Sequence, residues 1–288
     1  KIPLIGGIFL LIGFILNIIF FYYLQILTSS NLIILWFLVS MFVIALVDDK
    51  FNISPIFRLI LCSFVIILFF IDSGFLIKTL NFKYLNLYVF PENIYITYFF
   101  SIFCMIVLIH AYNFVDGING LAASIGVIWL IYLSTKIPDF LNNYSIFFIF
   151  IILFLYLNLK NKIFLGDSGN YIISSLVGVN LIKENLSNPN LFYVEEILLL
   201  FLIPGLDLIR LFFYRIKNKK NPFVGDNEHF HHLLINKFSL KKTLIIYSAL
   251  ISVPLIILKI NEDLLFFSII ISTLIYIYLI KKLYIKRN

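Results

Sequence analysis

Three short polar segments interrupt an otherwise apolar chain, and each carries a carboxylate: Val47-Asp-Asp-Lys-Phe51, His110-Ala-Tyr-Asn-Phe-Val-Asp-Gly-Ile-Asn-Gly-Leu121 and Phe164-Leu-Gly-Asp-Ser-Gly-Asn170. Leaving an unpaired carboxylate in hydrocarbon costs several kcal/mol, so acids in such surroundings are paired or functional. If Asp48, Asp49, Asp116 and Asp167 share one mouth, their charges repel unless a cation or a proton separates them. Hard oxygen ligands of this kind suit Mg²⁺ or Mn²⁺, which keep several waters and bind phosphate oxygens at the remaining positions. A metal-bound diphosphate is the guest this chemistry predicts.

A fourth segment, Asn221-Pro-Phe-Val-Gly-Asp-Asn-Glu-His-Phe-His-His-Leu233, places His229, His231 and His232 together just after Arg215, Lys217, Lys219 and Lys220. Three imidazoles so close suggest zinc, but His-x-His-His without a companion cysteine is not a standard zinc spacing, and hydrogen bonding to phosphate fits better. Anchoring to anionic lipid headgroups accounts for the lysines and leaves the histidines unexplained. Each remaining feature has a plain structural reading when taken alone. Asp48-Asp49 suits a solvated helix end, Gly166-Asp-Ser-Gly169 suits a helix cap, Gly6-Gly7 suits close helix packing, and Asp207 and Arg210, three apart, suit a pair on one helix face. Their joint occurrence on one face favours a site.

The elements that must hold these segments follow from composition. The chain is 62% hydrophobic and 13% charged, and its apolar runs repeatedly reach bilayer length. The predicted fold class is an all-α polytopic membrane protein with about ten transmembrane helices and a short periplasmic β-hairpin, built as a single transmembrane domain over residues 1–288. Spans are expected up to about Leu24, up to about Val47 and from Pro55 to about Ile71, then at about 94–112, 120–135 and 144–159. Further spans are expected up to about Ile182 and at about 193–213, 243–259 and 264–280. Strands are expected within Phe75–Leu80 and Tyr84–Phe90, turning at Asn81-Phe-Lys83, and a polar loop over Lys183–Asn190. Cys62 and Cys104 lie in apolar runs, where they read as small hydrophobes. The chain opens at Lys1 and runs straight into a span, which reads as truncation at the start, with a first helix or a signal segment missing.

This alternation puts every polar segment on one side of the membrane. Of the twenty-two Lys and Arg residues, the far side receives Lys78, Lys83, Lys136, Lys183 and Lys259, and the side bearing the polar segments receives the other seventeen. The positive-inside rule makes that side cytoplasmic, and the net charge of +7 then marks orientation, with no nucleic acid needed to explain it.

The motifs, in order Ile2-Pro-Leu-Ile-Gly-Gly7, Val47-Asp-Asp-Lys50, Asn113-Phe-Val-Asp-Gly-Ile-Asn-Gly-Leu121, Phe164-Leu-Gly-Asp-Ser-Gly169 and His229-Phe-His-His232, cover nearly the whole chain. They resemble those of the polyprenyl-phosphate N-acetylhexosamine-1-phosphate transferases, a glycosyltransferase family 4 group that includes the lipid-I-forming translocase of peptidoglycan synthesis and enzymes that initiate surface polysaccharides such as O-antigen. The His-x-His-His form and Pro222-Phe223 look more like the UDP-N-acetylglucosamine-type initiating enzymes.

The resemblance implies a bacterial cytoplasmic-membrane enzyme with its active site on the cytoplasmic face and Mg²⁺, or Mn²⁺, as cofactor. Polyprenyl (undecaprenyl) phosphate would attack a UDP-HexNAc, above all UDP-GlcNAc, releasing UMP and leaving polyprenyl diphosphate-sugar. It also implies a homodimer. By the same resemblance Asp167 matches a magnesium ligand and Phe164 an aromatic that stacks on uracil. Asp48 and Asp49 match the acidic pair near the lipid phosphate, one of them a proposed base. Asn113 and Asp116 match groups at the nucleotide and metal, and His229, His231 and His232 match a loop that closes over the diphosphate and sugar. The chain departs from many members at Asn119, where they carry an aspartate that can read the uracil edge, and at Asn227, where several carry arginine. The competing class is a transporter or channel with an acidic, cation-binding vestibule. Charges buried along a mid-membrane path would mark that class, whereas these acids are expected at span ends.

Overall fold

Apolar runs of 15 to 24 residues form the long helices, and the residues at their starts explain where they begin. A computed structural model of the chain describes residues 5–85, 87–90, 93–219, 221 and 228–285. Its helices are α1 (Gly6–Tyr23), α2 (Ser29–Phe51), α3 (Pro55–Ser73), α4 (Ile94–Asn113), α5 (Leu121–Lys136), the short α6 (Phe140–Asn143), α7 (Ser145–Leu159), α8 (Gly166–Ser187), α9 (Val194–Lys217), the short α10 (Phe230–Ile235), α11 (Leu240–Ile260) and α12 (Leu265–Ile285). Thr28, Ser54, Asn93 and Ser239 cap α2, α3, α4 and α11 with side-chain oxygens that accept otherwise unpaired first-turn N–H groups. Pro55 supplies a first helical position whose missing N–H costs nothing.

Helix α8 is the axis of the bundle. It packs against α1, α2, α4 and α5, and every residue from Ser168 to Ile182 is buried. A helix enclosed by protein does not need a lipid-facing stripe, which explains its small and polar residues. Some of their polar atoms are paired internally: Ser174 Oγ donates to the Asn170 carbonyl at 2.7 Å, and Asn180 accepts from the Tyr144 hydroxyl at 3.0 Å. Gly178 lets α4 approach, since a Cβ there would lie 2.8 Å from Met105 Sδ.

The outer helices show the opposite pattern. Large apolar side chains such as Phe64, Phe99, Phe103, Phe266 and Phe267 are exposed on α3, α4 and α12, forming a surface suited to hydrocarbon. Seven helices among the described residues, α1 to α4, α9, α11 and the helix ending at Tyr284, are long and apolar enough to cross a membrane, while α5 and α7 are apolar but shorter. The chain is an all-α, multi-pass membrane protein.

The expected hairpin contracts to two short strands, β1 (Thr79–Leu80) and β2 (Tyr88–Val89), antiparallel with Thr79 opposite Val89. Neighbours outside the ladder take up nearby backbone groups: Ile77 N–H donates to Ser101 Oγ at 2.9 Å and the Thr79 carbonyl accepts from Asn185 Nδ2 at 3.0 Å. Several helices run longer than their apolar pattern, α8 and α9 among them. Helix α8 continues through Lys183 to Ser187, where a loop was expected, and α9 continues past residue 213 to Lys217, with Arg215 buried on it. Both cysteines are free thiols.

Candidate functional site

The end of α2, the starts of α3 and α8, and the loop after α4 meet at one end of the bundle, as the distribution of polar segments predicted. Gly166 has φ 71°, a left-handed turn that glycine adopts without strain, and it opens α8 with Asp167 in the first turn. The backbone N–H groups of Asp167 and Ser168 donate to the Asp49 carboxylate at 3.3 and 3.4 Å. Asp49 therefore caps α8 from a different helix, where the helix dipole favours negative charge. Gly6 and Gly7 permit this entry: Gly6 N–H donates to the Phe164 carbonyl at 3.0 Å, and a Cβ on Gly7 would fall 2.4 Å from Ser168 Oγ. Close packing, the plain reading of these glycines, holds, and the packing partner is the site itself.

Arg58, on the first turn of α3, is the residue that sequence reasoning missed. Its guanidinium donates to the Asp48 carboxylate and, at 2.9 Å, to Asp167 Oδ2. A single arginine at the head of an apolar helix, shortly after Asp48-Asp49, was the available signal. Its effect is to tie Asp48, which is buried, away from the cavity that Asp49 lines.

A second tie, partly buried, stands beside it. Asn170 Nδ2 donates to Asn113 Oδ1 at 3.0 Å and to Asp116 Oδ2 at 2.9 Å, so one amide on α8 sets both groups delivered by α4 and its loop. Burial pushes the Asp116 carboxyl up to about 7; the Asn170 hydrogen bond opposes this, and the Asp167 and Asp49 charges add to it.

Between these groups lies a cavity of about 480 Å³, lined by Asp49, Asp116, Asp167, Phe164 and Asn119 among others. Asn119 Nδ2 donates to Asn161 Oδ1 at 2.5 Å. Five of the residues singled out from the sequence thus share one cavity, and Asn113 joins it through Asn170. No group of three or more His, Cys, Asp or Glu among the described residues is arranged to enclose a cation unaided. The oxygen donors that a hard cation could take in this cavity are Asp167, Asp116 and Asp49, with water or phosphate oxygens needed to complete its shell.

The histidine segment stands beside the cavity. Among the described residues that line it there is no histidine. His229 Nδ1 lies 3.2 Å from Asp207 Oδ2, and its ring packs on Phe114, which opens the Asp116 loop, and stacks on His231. His231 is buried with its Nε2 against Gly117, where a Cβ would come within 1.9 Å. Burial and the neighbouring His232 and His229 push His231 down to about 3, so it is neutral. The expected Asp207–Arg210 pair forms, with Arg210 Nη2 donating to Asp207 Oδ1 at 2.7 Å, and Asp207 additionally holds the histidine segment. Pro222, Phe223 and Asn227 lie outside the described residues.

The model of glycosyl transferase family 4 matches residues 31–185, which include the Asp48-Asp49, Asp116 and Asp167 segments. The chain is 26% identical over 258 residues to an undecaprenyl-phosphate alpha-N-acetylglucosaminyl 1-phosphate transferase of Escherichia coli O157:H7, covering 81% of this chain and 65% of the relative. It is 28% identical over 214 residues to a protein of the same name from Thermotoga maritima, covering 73% and 64%. This chain thus spans just under two thirds of the length of these relatives. The family match takes in more than half of the chain and the carboxylates that share the cavity, and the chain belongs to glycosyl transferase family 4.

Proposed function

We propose that this chain transfers N-acetylhexosamine 1-phosphate from a UDP-sugar, with UDP-N-acetylglucosamine the preferred donor, to polyprenyl (undecaprenyl) phosphate. An oxygen of the lipid phosphate forms a bond to the sugar-bearing phosphorus, and the bond from that phosphorus to the UMP oxygen breaks, with UMP leaving. The product is polyprenyl diphosphate-sugar, the starting unit of a cell-surface polysaccharide. The observation that carries this reading is the convergence of Asp49, Asp116 and Asp167 on one cavity beside the N-terminus of α8. The names of the relatives support the acceptor and the sugar.

Asp167, with Asp116 and Asp49 nearby, would hold Mg²⁺ or Mn²⁺, which when bound would neutralise the diphosphate charge. The chain's own residues provide position. Phe164, on the cavity wall, offers a face to the uracil ring. Asn119 commits its Nδ2 to Asn161, which leaves its carbonyl oxygen to accept from the base edge, the same polarity as the aspartate of other members. Asp48 pairs with Arg58 and is not on the cavity wall, whereas Asp49 is, so Asp49 is the member of the pair that faces the reacting phosphates. A phosphate monoester is already largely ionised at neutral pH, and Asp49 has little base chemistry to perform.

Seventeen of the twenty-two basic residues on the side of the site support a cytoplasmic active site in a bacterial inner membrane. The test is UMP release and formation of an organic-soluble sugar lipid by membranes carrying the protein, with polyprenyl phosphate and a panel of UDP-HexNAc donors. Release that requires the lipid and is fastest with UDP-GlcNAc is expected. Lipid-independent release, or none with any donor, contradicts the proposal.

A further inference from the structure

Helix α9 carries a buried carboxylate to which the reaction above gives no part. Asp207 Oδ1 accepts from Arg210 Nε at 3.2 Å, Arg210 Nη2 at 2.7 Å and the Tyr276 hydroxyl at 2.9 Å. Asp207 Oδ2 faces His229 Nδ1 at 3.2 Å and accepts the backbone N–H of Phe230 at 3.1 Å. Arg210 reaches one residue further back, with Nη2 donating to the Glu228 carbonyl at 2.6 Å and Nη1 to the Tyr284 hydroxyl at 2.9 Å. Three consecutive residues, Glu228, His229 and Phe230, are therefore held by one ion pair on α9, and two tyrosines of α12 close it from the other side.

A buried network whose members are hydrogen-bonded to one another can fix one arrangement against others. The arrangement it fixes here is the approach of the histidine segment to the Asp116 loop, through His229 on Phe114 and His231 on Gly117. It also selects a tautomer. A carboxylate only accepts, so Asp207 requires the proton of His229 on Nδ1, and the lone pair on Nε2 then faces Arg215 Nη2 at 3.5 Å.

We infer that the Asp207–Arg210 pair is a clasp that sets the histidine segment against the Asp116 loop, with Asp207 the positioning residue that holds His229 in its Nδ1–H form. The geometry stands by itself; the consequence for turnover rests on the transferase reading.

Asp207→Asn separates the two. Arg210 and Tyr276 retain the amide oxygen, which turns the amide N–H₂ toward His229 and demands the opposite tautomer. The full chain in detergent, labelled with ¹⁵N-imidazole histidine, has four histidines, and His229→Gln identifies the resonances of that ring. Expected are an Nδ1–H, Nε2-lone-pair pattern for His229 in the unaltered protein and the reverse pattern in Asp207→Asn. UMP release by Asp207→Asn should fall about 10- to 100-fold in kcat, with the KM for the UDP-sugar changing less than about threefold. An Nε2–H tautomer in the unaltered protein overturns the clasp, even if Asp207→Asn does not accumulate. So does an unchanged His229 pattern in a folded Asp207→Asn. If no donor yields UMP, the transferase reading fails, and the two tautomer measurements still decide the clasp.

Discussion

The guanidinium of Arg58 lies 2.9 Å from the carboxylate of Asp167, the acid at the head of α8. The same guanidinium pairs with Asp48, so one positive charge is shared between two carboxylates delivered by two other helices. Removing one partner of a partly buried ion pair leaves the others uncompensated, at a cost of up to about 3 kcal/mol. Arg58→Ala should therefore melt well below the unaltered protein in detergent, and added Mg²⁺ should raise its melting temperature more than it raises that of the unaltered protein, because the ion restores positive charge near Asp167. Equal Mg²⁺ responses in the two proteins would show that Arg58 and the ion do not address the same acids.

Asp116 predicts a pH dependence. Its carboxyl is pushed up to about 7 in the folded protein, chiefly by burial. An acid that binds its proton more tightly when folded contributes stability below its unfolded pKa, near 4, and that contribution is lost as pH rises through about 7. In metal-free buffer Asp116→Asn should match the unaltered protein in melting temperature near pH 4 and exceed it by a few degrees at pH 8. Thermal melts at the two pH values check this, and a variant that is less stable at pH 8 would refute the sign.

Gly117 is the contact between the Asp116 loop and the histidine segment. A Cβ at this position meets His231 Nε2 at 1.9 Å, closer than any side-chain shift of a few tenths of an ångström relieves. Gly117→Ala should displace His231 or the loop by about 1 Å, a misplacement that costs on the order of 100-fold in turnover. Gly74→Ala is a useful comparison, since a Cβ there meets nothing within 4 Å although φ is 66°; it should lose some stability and little activity.

The legible part of this site was its acids. Asp49, Asp116 and Asp167 stand out because charge in an apolar chain is costly, and helix polarity puts them on one face, where the structure joins them around one cavity. The pairings that aim them were not legible. Arg58 is adjacent to Asp167 in space and 109 residues away in sequence, and Asn170 reaches Asn113 and Asp116 across 57 and 54 residues, distances over which no local pattern operates. Helix ends were misjudged where polar residues continue a helix beyond its apolar run, as in α8 and α9. The hairpin was overextended because aromatic and β-branched content marks strand propensity and says nothing about the side chains that take up the backbone instead.

The central claim is that the carboxylates at the head of α8 form a cation-dependent site for transfer to a lipid phosphate. Its most direct test is Mn²⁺ binding, followed by electron paramagnetic resonance, alongside UMP release by the same preparations of the unaltered protein and of Asp167→Asn. The account predicts that the unaltered protein binds the ion in the presence of UDP-GlcNAc and releases UMP only with polyprenyl phosphate, and that Asp167→Asn loses both by at least about 100-fold. Unchanged ion binding and undiminished UMP release in a folded Asp167→Asn protein would contradict it.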